Sequence, residues 1–153
     1  MYSRGPQNEA NLRDIVRVNH TGGVVMFVRF VIPIRHEDSH CMTGVIQAAY
    51  RLRERGLLSD GEEKLFDGIR CWFNRHLPVP RRFSRSRRPH AHRNAVCWFK
   101  VQAEECLDRM RELAALLQRK GVATEVLETQ RPGYIVYEDD YQVAAVPFRD
   151  TRA

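Results

Sequence analysis

Apolar residues recur three and four positions apart in three stretches of the chain, which is the period of an amphipathic helix. The stretches cover residues 45–52, 65–77 and 103–117. Gly56 and Gly121 follow the first and the third, at the position where a glycine commonly ends a helix. The pattern therefore predicts three helices.

The second of these helices carries start and stop signals at its two ends. Residues 59–62 read Ser-Asp-Gly-Glu. This is a capping box, in which the serine and glutamate side chains each accept a hydrogen bond from a backbone N–H that would otherwise be unpaired. Pro78 and Pro80 follow the apolar face. Because proline lacks an N–H and its ring clashes with the preceding turn, they end the helix.

The other apolar runs are rich in β-branched and aromatic residues, which predicts strands. Residues 24–32 form a run broken only by Arg29 and closed by Pro33, and residues 95–99 form a shorter one. Turn residues separate three more runs, so we expect a three-strand meander near the C-terminus. Its strands would be 122–129, 134–137 and 141–146.

This order of elements predicts an α+β fold, with a mostly antiparallel sheet of about four to five strands and three helices on one face. Residues 1–23 are polar and without a regular period, and we interpret them as a flexible N-terminal extension. Residues 24–153 form a single α+β domain, with an Arg-rich loop at 80–94.

The net charge of +6 is concentrated in one stretch of 13 residues, 81–93, called the basic segment below. It contains six arginines and no acid, which leaves 25 − 6 = 19 basic residues against 19 acidic ones elsewhere. Without this segment the chain is formally neutral. The segment is therefore the main functional clue in the sequence.

The guanidinium group pairs with phosphate, and an aromatic side chain between arginines can stack on a base. The leading hypothesis is a small cytosolic module whose basic segment binds a polyanion, with nucleic acid as the favoured ligand. The predicted contacts are six arginines and one phenylalanine: Arg81, Arg82, Phe83, Arg85, Arg87, Arg88 and Arg93.

Two other interpretations of the basic segment remain open. In the first, the segment binds an acidic protein surface, as a regulator or inhibitor of a mobile-element or defence system would. In the second, it is a solvated loop whose arginines pair with the chain's own acids. Glu62, Glu63 and Asp67 are the acids that this last interpretation names.

A metal-dependent hydrolase is a third class of function, in which His36 and His40 would meet the carboxylates at 138–140. Two histidines in a polar loop make no site alone, and three acids at a reversal are typical of a hairpin tip. The sequence has no glycine-rich phosphate loop, no G-x-S-x-G and no H-E-x-x-H. We therefore predict no catalytic residue, no metal and no cofactor, and enzymatic activity is not the favoured expectation.

The four cysteines form no C-x-x-C pair and show no zinc-ligand spacing, which favours reduced and mostly buried thiols. No apolar run resembles a signal peptide or is long enough to span a bilayer. We expect a cytoplasmic protein without a membrane partner. The oligomeric state stays open.

Several motifs resemble a family of small proteobacterial proteins of unknown function. The resemblance covers roughly residues 26–153 and is strongest at 131–143, which reads RPGYIVYEDDYQV. It also includes MFVRF at 26–30, Trp72-Phe73 and Trp98-Phe99-Lys100. The resemblance implies a single domain, and it brings no activity that could be assigned to a residue.

Overall fold

The computed structural model describes residues 23–37, 40–79 and 94–153. These residues form six strands and three helices, whose bounds are as follows. The elements are β1 (Phe27–Arg35), β2 (Met42–Gly44), α1 (Val45–Glu54), α2 (Asp60–His76), β3 (Val96–Lys100), α3 (Glu104–Arg119), β4 (Glu125–Thr129), β5 (Tyr134–Glu138) and β6 (Gln142–Val146).

All the strand pairs in the described sheet are antiparallel. One edge of β1 pairs with β4 over residues 27–31. Because a strand has only two edges, β2 and β3 share the other edge of β1. β3 pairs there with Phe27 and Val28, and the pairing with β2 starts at Val31. The strands β6 and β5 then extend the sheet beyond β3.

The side chains of β1 alternate between two buried clusters on opposite faces of the sheet. Val28, Phe30 and Ile32 pack with apolar residues from all three helices. Phe27 and Val31 lie in a second cluster, which contains Trp98 and no helical residue. The three helices thus cover one face of the sheet, as the sequence predicts.

The predicted helix boundaries are confirmed at the level of hydrogen bonds. Ser59 and Glu62 form both bonds of the capping box at the start of α2. At the ends of α1 and α3, the N–H groups of Gly56 and Gly121 bond back to Arg53 and Gln118, as in a Schellman motif.

The structure corrects the strand count, because the sheet has six strands and not four to five. The additional strand is β2, whose three residues are too few to show a period. Backbone pairing holds it, since it pairs with β1 and Met42 N–H donates to the Ala153 carbonyl at 2.7 Å. The strand β1 also continues through Pro33, at a point where the pairing register shifts.

The predicted three-strand meander is wrong. Of its three strands, β5 and β6 form a hairpin, whereas β4 pairs with β1 at the far side of the sheet. The apolar pattern of β4 identifies a strand but carries no information about its neighbour. None of the described helices is both long enough and apolar enough to cross a membrane.

Candidate functional site

The residues predicted to bind nucleic acid fall within 80–93, which lies outside the described residues. They are Arg81, Arg82, Phe83, Arg85, Arg87, Arg88 and Arg93. The structure does describe the chain on both sides of this range. The surroundings of the candidate site are therefore given by those flanking residues and by the surfaces beside them.

Both flanks of the basic segment are held on β6. Before the segment, the Pro78 carbonyl accepts a hydrogen bond of 2.8 Å from Gln142 Nε2, at the first residue of β6. After the segment, Val96 pairs with Ala145, near the last residue of β6. The two points at which the segment joins the described fold are thus fixed on one strand.

Two aromatic side chains are exposed at the end of the sheet where the segment rejoins it. Tyr134 pairs with Val146 at the end of β6 and is 39% exposed, and Phe148 follows shortly after and is 37% exposed. The Arg131 guanidinium lies over the Phe148 ring, 5.3 Å from its centroid. Aromatic rings and a cation therefore occur together on this surface.

Two of the three acids proposed to neutralise the basic segment already have partners. Glu62 caps α2 and pairs with Lys120 at 2.6 Å. Asp67 pairs with Arg53 at 2.7 Å and with Arg70 at 3.1 Å. These acids are engaged by cations on the helices themselves.

A cavity of about 380 Å³ lies beside the short stretch of β1 that pairs with neither β2 nor β3. Arg29 and Phe30 form this stretch, between the residues that pair with β3 and those that pair with β2, and both line the cavity. The other walls come from β3, the first turn of α1, the end of α2, and Met110 of α3. We call this space the fork cavity.

Arg29 is the single charged residue among the described residues that line the fork cavity. Its Nη2 donates to the Met42 carbonyl at 2.8 Å, while its Nη1 is buried and has no hydrogen-bond partner in the described part of the chain. Burial lowers the pKa of Arg29, although arginine is basic enough to stay charged. A cation therefore sits here without a carboxylate partner.

Cys97 lines the same cavity but is not set up as a nucleophile. The residue is partly exposed, yet the protein atoms around it remove enough water that burial raises the pKa of its thiol. The neutral thiol is the unreactive form at physiological pH. None of the four cysteines forms a disulfide; Cys41 and Cys106 are buried, and Cys71 and Cys97 are exposed.

The carboxylates at 138–140 serve the β5–β6 hairpin. Asp139 accepts hydrogen bonds from the N–H groups of Tyr141 and Gln142 and from the Tyr137 hydroxyl, and Glu138 pairs with Lys100 at 3.0 Å. Burial and the bond to Asp139 raise the pKa of Tyr137. This agrees with a hairpin tip that is stabilised by its own carboxylate.

His36 and His40 lie in the connection between β1 and β2, joined by a backbone hydrogen bond of 3.0 Å from His40 N–H to the His36 carbonyl. Within 23–37, 40–79 and 94–153, no group of three or more His, Cys, Asp or Glu residues could hold a metal ion. The hydrolase hypothesis thus gains no support from the residues it named.

Sequence reasoning did not identify Arg29 as a candidate site residue. The signal was present, since Arg29 is the only charged residue in the apolar run 24–32. What the sequence did not reveal is that β2 and β3 pair with β1 on either side of Arg29 and leave this residue at the edge of a cavity.

No family model, no curated protein and no solved structure matches the chain in the comparisons.

Proposed function

We propose that the protein is a small binding module whose basic segment engages a polyanion, with nucleic acid as the ligand. The observation that carries this proposal is the segregation of charge: six arginines and no acid lie within 81–93, and the rest of the chain is neutral. A concentrated positive charge attracts phosphates and releases their counterions.

Three features of the described fold support the same function. The segment joins the sheet at both ends of β6, which presents it from a rigid support. Exposed Tyr134 and Phe148 lie at one of those ends and offer faces on which bases can stack. Glu62 and Asp67 each have a cation partner among the described residues, Lys120 and Arg53 respectively.

Replacing Arg85, Arg87 and Arg88 together with alanine is expected to weaken binding to a labelled single-stranded oligonucleotide by about tenfold or more at low salt. Fluorescence anisotropy of the full chain measures this effect. A matched control replaces three exposed arginines on or directly after the helices, Arg51, Arg55 and Arg119, and removes the same charge. The control should bind within about threefold of the parent protein.

Equal losses in the two triple variants would mean that total charge, and not the basic segment, determines binding. Failure of the parent protein to bind single- or double-stranded nucleic acid at low salt would remove the proposal. Recovery of one defined acidic protein after nuclease treatment, together with such a failure, would instead favour the protein-partner interpretation.

A further inference from the structure

The fork cavity lies on the side of the sheet that the helices cover. Phe30 lines it from β1 and belongs to the buried cluster that packs with the helices. Phe73 of α2 and Phe99 of β3 line it as well and belong to the same cluster, and their stacked rings lie 5.9 Å apart. The cavity is therefore continuous with the apolar core between the sheet and the helices.

The guanidinium of Arg29 does not belong to this side of the sheet. Side chains alternate along a strand, so Arg29 shares the face of Phe27 and Val31, which lie in the cluster without helical residues. Its Nη2 donates to the Met42 carbonyl. Since Arg29 is the single charged residue among the described lining residues, no described charged side chain faces the cavity.

A space of this size is unusual beside a packed core. Protein interiors contain few voids larger than a water molecule, and the walls of an empty void lose the contacts that neighbouring atoms would make. For comparison, an engineered cavity of about 150 Å³ with apolar walls stays dry and binds benzene. The fork cavity, at about 380 Å³, has room for a molecule of two rings or a short alkyl chain.

The charges around the cavity favour a neutral ligand over an anion. Residues 44–47 line it, so the N-terminus of α1 contributes a partial positive charge. This effect is small compared with the cost of removing a carboxylate from water where no cation pairs with it. An uncharged molecule avoids that cost and still gains the apolar contacts.

We propose that the fork cavity binds a small neutral apolar molecule, a ring system or an alkyl chain, which packs against Phe30, Phe73 and Phe99. The site has the size and the mainly apolar walls that are typical of small-molecule sites. The proposal does not depend on the basic segment, so it stands or falls independently of nucleic acid binding.

The neutral dye N-phenyl-1-naphthylamine tests this ligand class, because its fluorescence rises in apolar surroundings. Titration of the full chain with the dye should give a saturable rise in fluorescence. Octanol should displace the dye at a concentration about tenfold lower than octanoate does, since the octanoate carboxylate must be desolvated. Failure of the dye to bind, or displacement by octanoate as effective as that by octanol, would overturn the proposal.

Filling the cavity with a side chain locates the bound dye. Cys97 lines the cavity and is exposed, so Cys97→Trp should weaken dye binding about tenfold or more by occupying part of the space. Cys71→Trp is the matched control, because Cys71 is exposed on α2 and does not line the cavity. This control should bind the dye within about threefold of the parent protein. Equal losses in the two variants would contradict binding in the fork cavity.

Alkylation of the parent protein gives a second readout, which decides the question if circular dichroism shows that Cys97→Trp does not fold. Octanol should slow the reaction of Cys97 with iodoacetamide, as followed by peptide mass spectrometry, because the thiol lines the occupied cavity. The reaction of Cys71 should not change. No protection of Cys97, or equal protection of the two cysteines, would overturn the proposal.

Discussion

Replacing Gly133 with alanine should destabilise the protein by about 3 kcal/mol or more. Gly133 has φ +134°, a conformation that side chains of L-residues rarely adopt. A Cβ atom there would lie 2.2 Å from the Val146 carbonyl oxygen and 2.9 Å from Pro147 Cα. Because both contacts are with backbone, relief would require the start of β5 to move away from the end of β6. Urea denaturation followed by circular dichroism measures the loss.

Gly68→Ala is the matched control for this prediction, since it adds the same methyl group. Gly68 lies exposed inside α2, with no atom within 4 Å of the added Cβ. Alanine is the better helix former, so this variant should be more stable by about 0.5–1 kcal/mol. Effects of the same sign in the two variants would show that the strain assigned to Gly133 is absent.

Trp98→Ala should cost about 3–5 kcal/mol, because it removes the largest side chain from a buried cluster and leaves a cavity. Trp98 is 1% exposed and lies opposite Val143 in the register of β3 and β6. Urea denaturation again provides the measurement.

Trp98→Phe separates the packing of this side chain from its polar atom. The indole Nε1 is buried without a hydrogen-bond partner among the described residues. Phenylalanine removes that unpaired N–H and keeps much of the apolar contact, so we expect less than half of the cost of alanine. A cost equal to that of alanine would indicate that Nε1 is hydrogen-bonded in solution.

The helices could be predicted because their signals are local. The capping box at Ser59 and the glycines at 56 and 121 act within one turn of the helix end, so the sequence contains the whole interaction. The strands of the C-terminal half could be located for the same reason. Their neighbours could not, because pairing of β4 with β1 joins residues about a hundred positions apart, which no local pattern encodes.

The site was less predictable than the fold. The basic segment is visible in the sequence because charge is a property of composition. The fork cavity is not, since it requires β2, a strand of three residues, to pair with β1 at Val31 while β3 pairs at Phe27 and Val28. Arg29 then lies beside the gap as a consequence of topology.

The salt dependence of nucleic acid binding tests the central claim most directly. If all six arginines of the basic segment contact phosphates, log K should fall with log salt with a slope of about −4 for a single strand. The triple variant of Arg85, Arg87 and Arg88 should lose about half of this slope, and the triple variant of Arg51, Arg55 and Arg119 should keep it. A slope near zero for the parent protein, or the same slope in both triple variants, would contradict binding of nucleic acid through this segment.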